Sequence, residues 1–289
     1  MIIDMKYHIA SLVAVFLALA MGILIGTTFL GNDAIIRQLE IRADSLAKDL
    51  GALGQENKEL KVKAAGIEKS TRDYQEFGRS VLPQLVYNRL VGKQVALVET
   101  GNYGFNQDVI KSLQLAGGKI QSTTTILDGF DLSDQARKQQ VINYLNLKES
   151  KTEDVMAALA RLVAQGVVVG DNLATLNYLE QQKIIKKSGE YGVPINTIII
   201  IGGSKDDSSA MVQVVDIPMI KYFLDKGMGV YGVEHRDVPR SYTKEYQQFK
   251  VTTVDNIETV PGQVALIWAM QGKPGNYGVK ETAKELLPR

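Results

Sequence analysis

A chain of 289 residues has room for one sizeable domain with extensions, or for two small domains. Apolar residues make up 45% and charged residues 22%, so most of the chain can fold around a core. A net charge of +1 removes the electrostatic case for a nucleic-acid partner, and the absence of cysteine excludes disulfides, iron–sulfur clusters and thiolate metal sites without fixing the compartment.

From Ile9 to Asn32 there is no charged residue. The run Ile9 to Leu30 would span roughly 33 Å as a helix, enough for a hydrocarbon core of about 30 Å. A cleaved signal peptide is the rival, because Ala18-Leu19-Ala20 has the form of a cleavage site. Cleavage there would leave the apolar stretch Met21–Leu30 at the new terminus, and a retained anchor is the favoured reading. Gly22 and Gly26 form a GxxxG pair that lets two helices approach closely in lipid, although glycine is common in membrane spans generally. Lys6 lies before the span and Asp33 after it, so the positive-inside bias places the N-terminus in the cytoplasm and the rest of the chain outside.

A seven-residue repeat begins at Ile36. One column reads Ile36, Ala43, Leu50, Asn57, Ala64, Thr71; the other reads Leu39, Leu46, Leu53, Leu60, Ile67, Tyr74. This pattern predicts a coiled coil over roughly 60 Å from Ile36 to Tyr74. Two copies leaving one membrane face would pair in parallel, and Asn57 at a core position would favour two strands and fix their register. A different partner protein, an amphipathic helix packed on the following domain, and a hairpin bent at Gly51 and Gly54 are the alternatives. The unbroken register favours one rod.

Gly78 to Gly92 reads as a linker, with Pro83 interrupting helix. Beyond it, short apolar runs alternate with helical stretches. Strands are expected at Val95–Val98, Ile120–Ile126, Val167–Val169, Thr197–Ile201, Val212–Val215, Gly229–Val233 and Val251–Val254. Helices are expected near Asn106–Ala116, Ser133–Asn146, Thr152–Ala164, Leu173–Ser188, after Pro218 and over Pro261–Gln271. Such alternation indicates an α/β fold with a mostly parallel, Rossmann-like sheet. The expected order is tail and transmembrane anchor 1–32, coiled-coil stalk 33–77, linker 78–92, α/β domain 93–272 and C-terminal tail 273–289.

Chemistry-bearing residues are few. His8 lies at the membrane edge, and His235 follows a strand within Glu234-His235-Arg236-Asp237, where open α/β sheets place ligands. It could serve as a base or ligand, or simply be a polar loop residue. Gly101-Asn102-Tyr103-Gly104 and the loop from Gly202-Gly203 to Ser209 are turns where a phosphate could rest on backbone amides, yet neither has the dinucleotide or P-loop spacing. Gly101, Gly104, Gly202, Gly203 and His235 are therefore the candidate ligand-binding positions. No catalytic residue is identified, and the chain is expected not to be an enzyme. The methionines show no M-x-M or M-x-x-M spacing for copper(I), and core packing is their default role.

The opening Tyr7-His8-Ile9-Ala10-Ser11-Leu12 through Gly22-Ile23-Leu24-Ile25-Gly26 resembles the N-terminus of the MctB/SteB family of envelope proteins. Val254-Asp255-Asn256-Ile257-Glu258-Thr259-Val260-Pro261-Gly262-Gln263-Val264-Ala265-Leu266 and Gly275-Asn276-Tyr277-Gly278 resemble its closing motif. The resemblance implies an envelope location and a part in copper transport or homeostasis, with copper as the possible metal, but it carries over no ligand residue. One apolar helix has no polar face to line a channel, so the expected role is that of a coiled-coil scaffold rather than a pore by itself. The alternative is a small-molecule sensor or enzyme that uses the strand-end loops.

Overall fold

The computed structural model describes residues 5–101, 104, 106–148, 151–170, 172–204 and 211–289, with side chains of 29–34 and 106 outside that description. It forms two compact units, which divide between Asp73 and Tyr74. The first unit is helical throughout its described residues. They belong to α1 (Met5–Val86), which carries an apolar stretch over Met5–Thr28 with mean hydropathy 2.6, long enough to cross a membrane by length and composition. Gly51, Gly54 and Gly66 lie inside this helix without breaking it, so the hairpin alternative does not form. Leu39, Leu46, Leu53, Asn57 and Leu60 are all exposed.

In the second unit the expected linker is largely helix, because α1 passes through Pro83 and ends at Val86. Proline removes one intrahelical hydrogen bond, but here it lies in the last turns, where burial supplies the compensation. Leu82 and Val86, one helical turn apart, are buried with Leu90 in a core they share with Val95 and Leu97. Asn88 then turns left-handed at φ 53°, and the Leu90 N–H donates to the Ala116 carbonyl at 2.7 Å.

The sheet has seven strands, β1 (Gln94–Glu99), β2 (Lys119–Ile126), β3 (Ile185–Gly189), β4 (Thr197–Ile201), β5 (Gly229–Val233), β6 (Thr252–Val254) and β7 (Asn276–Tyr277), in the order β3-β2-β1-β4-β5-β6-β7. Only the β2–β3 pairing is antiparallel. The central strands are apolar on both faces, as parallel strands under two helical layers must be. Ala96, Val98, Ile198 and Ile200 face α4 (Thr152–Val168), α5 (Leu173–Gln181) and α6 (Ile217–Asp225). Val95, Leu97, Ile199 and Ile201 face α2 (Asn106–Leu115), α8 (Val260–Met270) and the end of α1. Two short helices complete the fold, α3 (Gln135–Leu145) and α7 (Thr243–Gln247).

Three expected secondary-structure elements are corrected. Val167 and Val168 close α4 instead of forming a strand; Val155, Leu159, Val163 and Val167 recur at four-residue spacing and bury one helix face. The helix expected to reach Ser188 stops at Gln181, and Ile185–Gly189 forms the edge strand β3, whose lysines discourage further strand pairing. Val212–Val215 is helical, in a widened turn over Val212–Asp216 in which the Ile217 N–H reaches the Val212 carbonyl. Pro218 accounts for that turn, since it has no N–H for the Val214 carbonyl and its ring would collide there.

The segment 273–289, expected as a tail, contributes β7 to the sheet. The closing motif builds its clamp. Buried Asp255 accepts the N–H groups of Val279 at 2.7 Å and Lys280 at 3.1 Å, while the Thr259 side chain caps α8 by accepting the Gly262 N–H. Gly278 has φ +137° and lies so close to the Asp255 carboxylate that a Cβ would overlap it. Gly278→Ala should therefore cost about 3 kcal/mol or more in urea unfolding, against roughly 1–2 for Gly272→Ala, which meets backbone strain but no neighbouring atom.

Candidate functional site

Ligands of open parallel sheets bind beyond the carboxyl ends of the strands where the winding reverses, here between β1 and β4. Gly101 and Gly104 follow β1, Gly202 and Gly203 follow β4, and His235 follows β5, so the topology brings all three loops to one edge. Two of their amides, those of Gly104 and Gly202, are already engaged. The Gly104 N–H donates to Glu99 Oε1 at 2.7 Å, and Thr125 Oγ1 donates to Glu99 Oε2 at 3.2 Å. A buried carboxylate thus takes the donor a phosphate would need. The Gly202 N–H donates to the Val233 carbonyl at 2.9 Å, and a Cβ on Gly202 would overlap the Tyr246 hydroxyl. Gly203, at φ +97°, packs against Val238. These two glycines accommodate side chains of the same domain. Asn102, Tyr103 and Lys205–Ser209, parts of the expected phosphate turns, lie outside the described residues.

Asp216, at the end of the widened turn, is 1% exposed. Its Oδ2 accepts from Thr100 Oγ1 at 2.8 Å and from the Tyr246 hydroxyl, while its Oδ1 is buried without a hydrogen-bond partner. Burial raises the carboxyl from its ordinary 3.8 to about 7, with the bonds from Tyr246 and Thr100 opposing that rise. Burial and the Asp216 charge together hold the Tyr246 hydroxyl well above its usual range, so it remains a donor. The corner can therefore hold a proton near neutral pH. Sequence reading missed Asp216, although one acid within Val212-Gln213-Val214-Val215-Asp216-Ile217-Pro218-Met219-Ile220 is a signal in itself. Thr100 and Tyr246 carry no such local signal.

His235 belongs to a different corner, between the loops after β5 and β6. Its Nδ1 accepts the Asp237 N–H at 3.2 Å, and its Nε2 lies 3.8 Å from Glu258 Oε2. Its carbonyl accepts from Lys280 Nζ at 3.2 Å, and the same ammonium pairs with buried Glu234 at 2.6 Å. Ser241 Oγ and the Tyr242 N–H also donate to Glu234. Lys280 thus ties the clamped C-terminal segment to this loop. Among the described residues no three His, Asp or Glu side chains converge to hold a metal. Met156, Met219 and Met270 are buried in the two cores, with Met211 and Met228 packed against one of them. Gly22 and Gly26 have open space where a Cβ would stand, with nothing among the described residues within 4 Å.

Between pH values of about 4 and 7 the folded state retains the Asp216 proton that the unfolded chain has released. Stability from this group is complete at low pH and is lost as pH rises through 7. Asp216→Asn should flatten the fall in urea-unfolding free energy across that window; an unchanged slope would show that Asp216 does not titrate there.

The family described as "Copper transport outer membrane protein, MctB" matches residues 2–288. Proteins named "Copper transporter MctB" from Mycobacterium bovis (strain ATCC BAA-935 / AF2122/97) and Mycobacterium tuberculosis (strains CDC 1551 / Oshkosh and ATCC 25618 / H37Rv) are 24% identical over 315 residues, covering 96% of this chain and 96% of each relative. The match runs from the apolar helix to the C-terminal clamp, and the chain belongs to the MctB copper transport family.

Proposed function

We propose that the chain is a single-pass, membrane-anchored envelope protein that takes part in copper transport as a parallel, dimeric scaffold rather than as a pore by itself. The observation that carries this reading is α1, one helix that holds an apolar span, then exposed heptad leucines, and finally Leu82 and Val86 in the domain core. In the proposed arrangement the N-terminus is cytoplasmic and the α/β domain external. Leu39, Leu46, Leu53 and Leu60 form the seam of a coiled coil, Asn57 faces its own copy, and Gly22 and Gly26 bring the spans together in lipid. A second copy is the favoured occupant because a polar core residue pairs best with itself in a two-stranded coil, and because two chains anchored in one membrane face run in the same direction.

Copper is the cargo that the relatives' names supply. The scaffold reading gives this chain no coordinating site of its own, since the five methionines of the α/β domain lie in or against the cores and the chain has no thiol. Transport then requires further copies or a partner. The domain itself reads as Rossmann-like, supported by the strand order β3-β2-β1-β4-β5-β6, although β3 runs antiparallel and the first turn lacks the dinucleotide spacing. A small-molecule sensor at the strand ends is the second reading, favoured by the orphaned Asp216 Oδ1.

Changing Leu46, Leu53 and Leu60 together to Ser in residues 33–289 should convert a dimer into a monomer in sedimentation equilibrium, with near-ultraviolet circular dichroism of the domain retained. A dimer that survives the triple change would sink the coiled-coil assignment.

A further inference from the structure

The chain's one tryptophan lies far from the strand-end loops, near the C-terminus of α8, in a cavity of about 400 Å³ lined by Arg89, Trp268, Gln271 and Lys273. The Arg89 guanidinium carbon and Lys273 Nζ each lie 5.4 Å from the Trp268 ring centroid. The guanidinium is pinned at two points, with Nε donating to the Leu85 carbonyl at 2.5 Å and Nη1 to Gln271 Oε1 at 3.0 Å. Gln271 Nε2 returns a bond to the Arg89 carbonyl at 3.0 Å. Lys273 Nζ donates to the Arg289 carbonyl at 2.9 Å. Arg89 pairs with no carboxylate side chain among the described residues, and the lining contains no acid. The Trp268 indole N–H is buried with no acceptor.

Surface cations covering an indole and facing a helix C-terminus are the structural alternative. The α8 dipole supplies only about half a negative charge, against two full positive ones. It also offers nothing to the buried indole N–H. A guanidinium held at two of its nitrogens keeps Nη2 in a fixed direction for a charge-assisted hydrogen bond to an oxygen of a carboxylate or phosphate. The volume falls at the low end of small-molecule sites and exceeds what a bare phosphate ion needs.

We propose that Arg89, Trp268 and Lys273 form a binding site for a small molecule bearing an oxyanion, a carboxylate or phosphate, with its body against the indole. The site is independent of the seam, so its failure would leave the scaffold reading untouched.

Trp268 is its own reporter. The full chain, in nanodiscs of neutral phosphatidylcholine, is titrated with inorganic phosphate and with citrate while its tryptophan emission is followed, with isothermal titration calorimetry on the same samples. A saturable response beyond that of chloride at equal ionic strength is expected. Lys273→Met and Arg89→Met should each weaken it by about tenfold or more, whereas Lys221→Met, which removes a cation lying over Phe249, should not. A second set of discs containing phosphatidylglycerol separates the sources. Competition by the anionic lipid, lost in the same two variants, would assign the oxyanion to a headgroup; a response unchanged by lipid would assign it to a soluble molecule. Emission and heat that follow ionic strength alone, or that persist equally in both variants, would overturn the site.

Discussion

The domain depends on strands that are apolar on both faces. Val95 to Val98 and Ile198 to Ile201 leave no side for water, so the sheet folds only if helices cover both surfaces. One cover includes the last turns of α1, through Leu82 and Val86. That burial explains why the helix runs through Pro83, and it makes the helix bearing the apolar stretch also a core element of the domain.

The same logic governs the polar groups. Buried donors and acceptors must be paired, and most at the strand ends are paired internally. Glu99 takes the Gly104 amide, Val233 the Gly202 amide, Asp255 two amides of the closing segment and Glu234 the Lys280 ammonium. Among the buried side-chain atoms left without a hydrogen-bond partner are Asp216 Oδ1 and the Trp268 indole N–H. They lie in different parts of the domain, on carboxylate and cation chemistry respectively, and neither contains a methionine or histidine.

Much of this was legible in the sequence where the signal is local. The all-isoleucine run of β4, the strands β1, β5 and β6, and helix α8 could be read from apolar runs and their length. The misreadings are physical too. β3 carries lysines because it is an edge, so its alternation is masked; the valines ending α4 are β-branched but keep helical spacing; and the widened turn before Pro218 has no periodicity of its own. β7 is two residues long and is held by Asp255, a contact no window could reveal. The Gly202 amide is occupied by the Val233 carbonyl, a partner distant in the chain that no local pattern reveals. Arg89 and Gln271 are separated by 182 positions, so the tryptophan cavity had no sequence signature at all.

The most direct test of the account is an anaerobic titration of copper(I) into the purified full-length chain in the presence of a competing chelator. If the chain contributes assembly rather than coordination, the chelator keeps its copper at one equivalent of protein. Stoichiometric withdrawal of copper by the chain, abolished when His235 and the domain methionines are replaced, would contradict it and place a coordination site within this protein.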